Sequence, residues 1–405
     1  MKSKIISIIT ILTLIISMVL MNITYVQATA VETEAILSNE QEKVNEDEIN
    51  IDEEPSKGFE NDEEVNSSGL LLEKSKSLLN RDILKSSVKA ATTLSGNITW
   101  EIIEGTLTIA GSGAMEDFVY SSDLSQMPPW FENDRENITK VVVEEGITRI
   151  GRGAFFGCTN LTEVVLPNSL TTIADYAFEA TGITEFTIPA NLSALSYSAF
   201  LDTELETFKG GSSTYIVNNG VVYTDAGKTL YIYPIGKKDE TFSIPNGVTT
   251  LAQEVFYKNE YLKSVIIPNS VTSAEYFVFC RSNIESVKFG TGLKATSYQM
   301  FAGCPNLSSI DFGTGLQEIY AQTFLQCTGL KTVVLPSNIK TIGVGAFAGC
   351  TALTTFTSKG LKLIPFQAFY GSTNLSNVTL NEGITEIARS AFYGCNALKT
   401  ITIPK

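Results

Sequence analysis

Phenylalanine returns at a near-constant step along the chain, at Phe155, Phe178, Phe200, Phe256, Phe279, Phe301, Phe324, Phe347, Phe369 and Phe392, with intervals of 23, 22, 56, 23, 22, 23, 23, 22 and 23 residues. Alanine precedes it in six of these ten copies, so the position before the ring favours a small neighbour. Five or six residues later an aliphatic residue opens a short β-rich stretch. The clearest copies are 161–167, 262–268, 330–336 and 398–404, with weaker ones starting at Ile183, Ile284, Leu307, Leu353 and Leu375. Within Leu161-x-x-Val164-x-Leu166 the last two apolar residues alternate with period two, which places both on one face of a strand. Pro167 ends that strand, having no N–H for the ladder. Leu170 and Ile173 turn the chain inward again, and Ala177 lets Phe178 pack beneath a short helix or turn. Where the copy reads Phe-x-Gly-Cys, at Gly157, Gly303, Gly349 and Gly394, glycine suits a left-handed helix stop. One unit cannot bury its own apolar side, whereas stacked units share a continuous core. The pattern predicts a repeat solenoid over 138–405 with one parallel β-sheet of about 12 rungs and short helices or turns opposite.

The 56-residue interval holds an insertion, 210–240, in which Asn218, Asn219 and Gly220 form a turn between strand-like runs, followed by Asp225, Ala226 and Gly227 before a third. It reads as β-hairpin structure. Insertions on solenoids gather on one face and carry binding, so Tyr215, Tyr223, Tyr231 and Tyr233 are candidate contacts. The competing reading packs the same rings against the adjoining coil. Ahead of the repeats, 94–137 reads as a β-hairpin capping module that covers the open core with Trp100 and Trp130, the only two tryptophans.

Residues 1–30 read as a signal peptide: Lys2 and Lys4, an apolar run over 5–23, and Ala28, Thr29 and Ala30 as a cleavage site. The run is long enough to remain as an uncleaved anchor. Residues 31–68 carry fourteen acidic side chains against Lys43 and Lys57, and supply most of the net charge of −15. With Phe59 as the sole aromatic, that stretch cannot offset its chain entropy, so 31–93 is expected to be an acidic disordered stalk and linker. A tail capturing cations or basic partners is the sharper alternative. The leucine-rich end of this linker, 69–93, has the composition of a short amphipathic helix.

The chain has no histidine, which removes Ser-His-Asp and Cys-His catalysis, His-ligated zinc and histidine-based pH sensing. Cys158, Cys304, Cys327, Cys350 and Cys395 each stand three residues after the repeat phenylalanine, where other copies hold Asn259 or Ser372; Cys280 lies one after Phe279. A slot that accepts Cys, Ser or Asn is small and partly polar, which points to buried free thiols; a disulfide between stacked copies is the alternative. Carboxylates show no recurrent pair for glycosidase chemistry, and no P-loop, dinucleotide fingerprint or EF-hand sequence occurs. No enzyme activity, metal or cofactor is expected, and the mildly acidic repeats argue against nucleic acid.

If the apolar strand residues point inward, their alternates form an outward strip: Glu163, Val165, Glu185, Thr187, Lys288, Asp311, Thr332, Thr355, Thr357, Asn377 and Thr379. Such a neutral, threonine-rich strip suits hydrogen bonding to a protein or glycan, and equally suits a solvated strand. The chain's last residues, Pro404 and Lys405, follow directly on a strand, which raises the expectation of end-to-end self-association through an uncapped coil.

The unit Leu-x-x-Val-x-Leu-Pro-x-x-Leu-x-x-Ile, closed by Ala-Phe-x-Gly-Cys, resembles the BspA-like class of bacterial leucine-rich repeats over 138–404. Residues 105–115 with Pro129 and Trp130 look like the module that often precedes such repeats in surface proteins of Gram-positive anaerobes. The resemblance implies a secreted or cell-surface bacterial protein whose role is adhesion, with a protein or glycan on host or bacterial surfaces as partner. Because fold does not fix function, two other readings stand beside it: a structural spacer in a larger surface assembly, and a secreted enzyme with its site in the insertion.

Overall fold

The computed structural model describes residues 89–119 and 126–404. The signal segment, the acidic stretch and most of the leucine-rich linker lie outside the described residues. The end of that linker is not helical: Lys89–Ser95 is a strand, paired antiparallel with Ile98–Ile103. Ile98–Ile103 pairs in turn with Thr106–Ala110, and Thr106–Ala110 runs parallel to the first repeat strand, Lys140–Val143. The edge of the first coil is thereby hydrogen-bonded, and Trp100 and Trp130 meet edge to face at 5.6 Å over the end of the core.

The repeats wind into a parallel β-solenoid of about eleven turns with little helix. Each coil has three hydrogen-bonded sides. On the front, the Val-x-Leu segment forms a short strand, from Lys140–Val143 to Asn377–Thr379, hydrogen-bonded in four runs. The twelfth rung expected at Thr400 and Thr402 forms no ladder, and Leu398 and Ile401 there are only partly buried. A second, lateral ladder arises where the sequence shows Leu-x-x-Ile: Ile147–Ile150, Thr172–Ile173 and Ala194–Leu195 pair in parallel, and Glu318–Ile319 with Thr341–Ile342 repeat the arrangement. Two-residue strands have no visible period, so the sequence shows only the turn there.

The third side is the Ala-Phe segment, and it is built of β-turns. In the first copy Ala154 N–H donates to Gly151 O, Phe156 N–H to Gly153 O, and Cys158 N–H to Phe155 O. Gly153 (φ 61°) and Gly157 (φ 71°) are third residues of the outer turns, a place that demands positive φ. The glycine expected to stop a helix therefore does adopt the left-handed conformation, but as a turn residue. Successive copies are stitched together because the N–H of eight of the ten repeat phenylalanines donates to the residue before the next one: Phe155 to Ala177 O, Phe301 to Thr323 O and Phe347 to Ala368 O among them.

Inside, the rings stack at about one coil spacing. Trp130 heads the file above Phe155, and Phe256 lies 4.8 Å from Phe279 with planes 3° apart. The first file ends at Phe200 and Phe208, and the second runs from Tyr233 and Phe256 through Phe392.

The 56-residue interval spans two coils, with front strands Thr207–Gly210 and Thr241–Ser243, and the first of them is enlarged. Ile216–Asn218, Val221–Thr224 and Thr229–Ile232 form an antiparallel sheet whose last strand joins the lateral ladder beside Thr250–Leu251. Tyr233 occupies the phenylalanine place, 5.0 Å from Phe256. Val221–Thr224 is buried on both faces: Val222 packs into the core on the N-terminal side, Val221 and Tyr223 into the core on the C-terminal side.

Candidate recognition surfaces

The front strip takes its shape from ladder register. Lys140 stands opposite Glu163, Lys209 beside Glu185, and Lys288 opposite Asp311. Their heads pair at 2.6, 2.5 and 3.6 Å. The charges of the strip's first half are thus taken up within the protein, each exposed pair contributing up to about 1 kcal/mol. Val165 and Thr187 lie exposed between them. In the second half Thr332, Thr355 and Asn377 form one column, and Val334, Thr357 and Thr379 the next. The structure brings these uncharged residues together on one face.

The insertion tyrosines do not form a binding cluster. Tyr215, Tyr223 and Tyr233 are buried and Tyr231 is half-buried, so the first three have no ring face for a partner. Their hydroxyls explain why they are tyrosines. The lateral ladder is interrupted between Ala194–Leu195 and Thr229–Ile232, which leaves Leu195, itself buried, with a strand on its N-terminal side alone. Leu195 N–H donates to Tyr215 Oη at 2.7 Å, and Tyr231 Oη–H donates to Leu195 O at 2.6 Å. Two phenols thus replace the missing ladder bonds. Tyr233 Oη–H donates to Asp239 Oδ2 at 3.1 Å.

The larger apolar surface lies on the turn side of the later coils. Tyr276, Tyr298, Val344 and Phe366 stand three residues before their repeat phenylalanines, and Tyr320 four before, so they rise on five successive coils. Tyr276 is 50% exposed and Tyr320, Val344 and Phe366 nearly as much, while Tyr298 is half-buried. Tyr370 and Tyr393, one residue after the repeat phenylalanine, stack at 5.1 Å beside this ridge. On earlier coils the column of Tyr370 and Tyr393 holds Ala302 and Ala348, each followed by a glycine. Tyr298 is fixed by Gln322 Oε1, to which it donates at 2.9 Å, and by Gln299 Nε2, from which it accepts at 3.2 Å. The strand period points only to the front face; the ridge becomes visible when the copies are aligned on the phenylalanine and read three places back.

These coils are what a comparison of families recognises. The model of the BspA type leucine-rich repeat region matches in six copies, over residues 129–232, 236–354 and 352–405. The chain belongs to this family. Among solved structures, a leucine-rich repeat protein from Eubacterium ventriosum is 23% identical, with 78% of this chain and 96% of that one covered and a TM-score of 0.51. A leucine rich cell surface protein from Faecalibacterium prausnitzii is 22% identical over 78% of this chain and 99% of its own, with a TM-score of 0.46. These likenesses concern the fold. No curated protein sequence matches the chain.

In this BspA-type solenoid the cysteine slot is a hydrogen-bonding position. Cys304, Cys327, Cys350 and Cys395 donate through Sγ to the carbonyls of Phe279, Phe301, Phe324 and Phe369 at 2.9 to 3.2 Å. Ser372 makes the same bond to Phe347 O at 2.9 Å. All six cysteines are free and buried. Burial pushes the Cys158, Cys304 and Cys350 thiols up to about 12, which withholds the thiolate that nucleophilic or metal chemistry needs. Two carboxylates are raised above the ordinary range. Burial raises Glu254, and burial with the nearby Asp202 charge raises Glu179 to about 7, against the opposing pull of Lys258 and Arg152.

Proposed function

We propose that this chain is an exported bacterial surface protein that acts by recognition without a reaction of its own, and that its partner is a protein seated on the aromatic ridge. The observation that carries this reading is the run of Tyr276, Tyr298, Tyr320, Val344 and Phe366 on five successive coils, reinforced by Tyr370 and Tyr393. Exposed apolar surface of that continuity favours association, and tyrosine anchors interfaces with little entropy loss. The ridge rests on hydrogen-bonded coils, so it is presented already formed. Export is supported by the charged start, apolar run and small residues of 1–30. The threonine strip on the front, from Thr332 to Thr379, is the second candidate face.

The test measures binding of the full chain to immobilised extracellular matrix proteins and to whole bacterial cells. Tyr298→Ala with Phe366→Ala should weaken saturable binding at least about tenfold, and Thr355→Ala with Thr379→Ala should leave it within about twofold. Loss in the strip variant alone moves the surface to the front sheet. Saturable binding that survives both changes overturns both faces. Protease treatment of the cells beforehand abolishes capture by a protein partner and spares capture by a glycan.

A further inference from the structure

The enlarged coil leaves a notch on the turn side. Other coils carry their linked turns there, whereas this one crosses with Tyr233, Pro234, Ile235 and Gly236. The turns before and after the notch consequently reach each other. Lys258 Nζ pairs with Asp202 at 2.8 Å, Gln253 Nε2 donates to Tyr197 Oη at 2.8 Å, and Tyr261 Oη–H donates to Glu204 Oε2 at 3.5 Å. Beneath these bridges lies a cleft of about 150 Å³ lined by Asp202, Glu204, Ile235, Lys258, Glu260 and Tyr261.

The charge of this cleft is one-sided. Three carboxylates face one lysine, and that lysine is committed to Asp202. The neighbouring Lys238 is held by Glu206. Two more acids stand on the neighbouring turns, outside the cleft lining: Glu179 follows its phenylalanine directly and Glu254 stands two before its own, and no other copy has a carboxylate in either column. The equivalents are residues such as Leu201 and Ala302 in the first column and Gln299 and Gly345 in the second. An aromatic- and aliphatic-walled cleft with surplus negative charge is complementary to a cationic group.

We propose that this cleft receives the guanidinium of an arginine side chain carried by the protein partner. Glu204 and Glu260 offer carboxylates to its planar donor fork, and Tyr261 offers a ring. The 150 Å³ open to water-sized groups is several times the roughly 10–15 Å³ that one water needs by the same measure, enough for a guanidinium head. The protein already stacks one guanidinium in this neighbourhood, with Arg152 5.0 Å from the Tyr176 ring centre. The inference deepens the recognition reading above and rests on it.

The full chain is titrated calorimetrically at physiological ionic strength with an acetylated, amidated peptide carrying a single arginine, to which the fourteen acids of 31–68 offer no multivalent attraction. Saturable single-site binding is expected. Glu204→Gln with Glu260→Gln should weaken it about tenfold, whereas Lys258→Met, which releases Asp202, should tighten it about threefold. Glu318→Gln with Glu386→Gln, the same charge change on distant coils, should leave it within about twofold. Equal weakening by the two acid pairs, no gain in the Lys258 variant, or no saturable binding by the parent chain overturns the assignment. Capture on cells that persists while the peptide fails sinks the cleft alone; loss of that capture's dependence on Tyr298 and Phe366 sinks the broader reading.

Discussion

Three residues after each repeat phenylalanine the chain needs a small side chain that can donate a hydrogen bond inward. Cys350 gives its proton to Phe324 O at 3.1 Å in a fully buried site, and Ser372 does the same for Phe347 O in the adjacent coil. Cys350→Ser should therefore change the unfolding free energy from urea titration by less than about 1 kcal/mol, while Cys350→Val, which strands the Phe324 carbonyl, should cost about 1–3 kcal/mol. Equal costs would show that the slot selects only volume. Glu179 sets a pH dependence at the same scale. Its folded-state pKa, about 7, lies above the reference value of 4.5, with burial and Asp202 raising it and Lys258 and Arg152 opposing. A raised carboxylate stabilises the fold fully below its unfolded value, and that contribution is lost as pH climbs through the folded value. Heating scans should thus show stability falling between about pH 4.5 and 7, by on the order of 1 kcal/mol after allowance for solvent screening. Glu179→Gln should flatten this trend, and an unchanged slope in that variant would remove Glu179 as its source.

At the scale of elements, the informative place is where a ladder stops. Leu195 ends one run of the lateral ladder, and Tyr215 and Tyr231 supply the bonds that the next strand would have made. Tyr215→Phe and Tyr231→Phe each keep the ring and strand one backbone group, so each should lower unfolding free energy by about 1–3 kcal/mol, read by urea denaturation. If both changes are silent, water or a shifted strand satisfies Leu195 instead. This role was hidden in the sequence because a capping phenol and a contact phenol have the same residue type; only burial separates Tyr215 from the exposed Tyr320. The front strand, by contrast, was legible from Val164 and Leu166, because period-two alternation survives even in a short strand. The lateral strands, such as Thr172–Ile173, are too short for alternation to register, and the exposed ridge sits in turns that have no period at all. The candidate surface was therefore less readable than the coil that presents it.

For the solenoid as a whole, the enlarged coil matters more than its length suggests. Repeat proteins gain stability coil by coil through neighbour contacts, so cooperativity extends only as far as those contacts are continuous. Here the core divides into two clusters, one from Ile98 to Phe208 with Tyr215, Val222 and Ile232, the other from Val221 and Tyr223 onward, with Val221–Thr224 as the wall between them. The aromatic file breaks at the same wall: Phe200 turns to Phe208 at 5.3 Å, and Tyr233 starts the next file against Phe256. The two blocks should unfold as separable units, and the chain carries its own reporters. Trp100 and Trp130 lie in the first block with Cys158, which is replaced by serine for this measurement, whereas Cys280, Cys304, Cys327, Cys350 and Cys395 lie in the second. Tryptophan emission and thiol reactivity followed through one urea series should give different midpoints, and Val222→Asp, which places a charge on the first block's side of the wall, should move the emission midpoint more than the thiol midpoint. Superimposable transitions in the parent chain, displaced together in the variant, would mean that the wall transmits cooperativity and that the solenoid is a single folding unit.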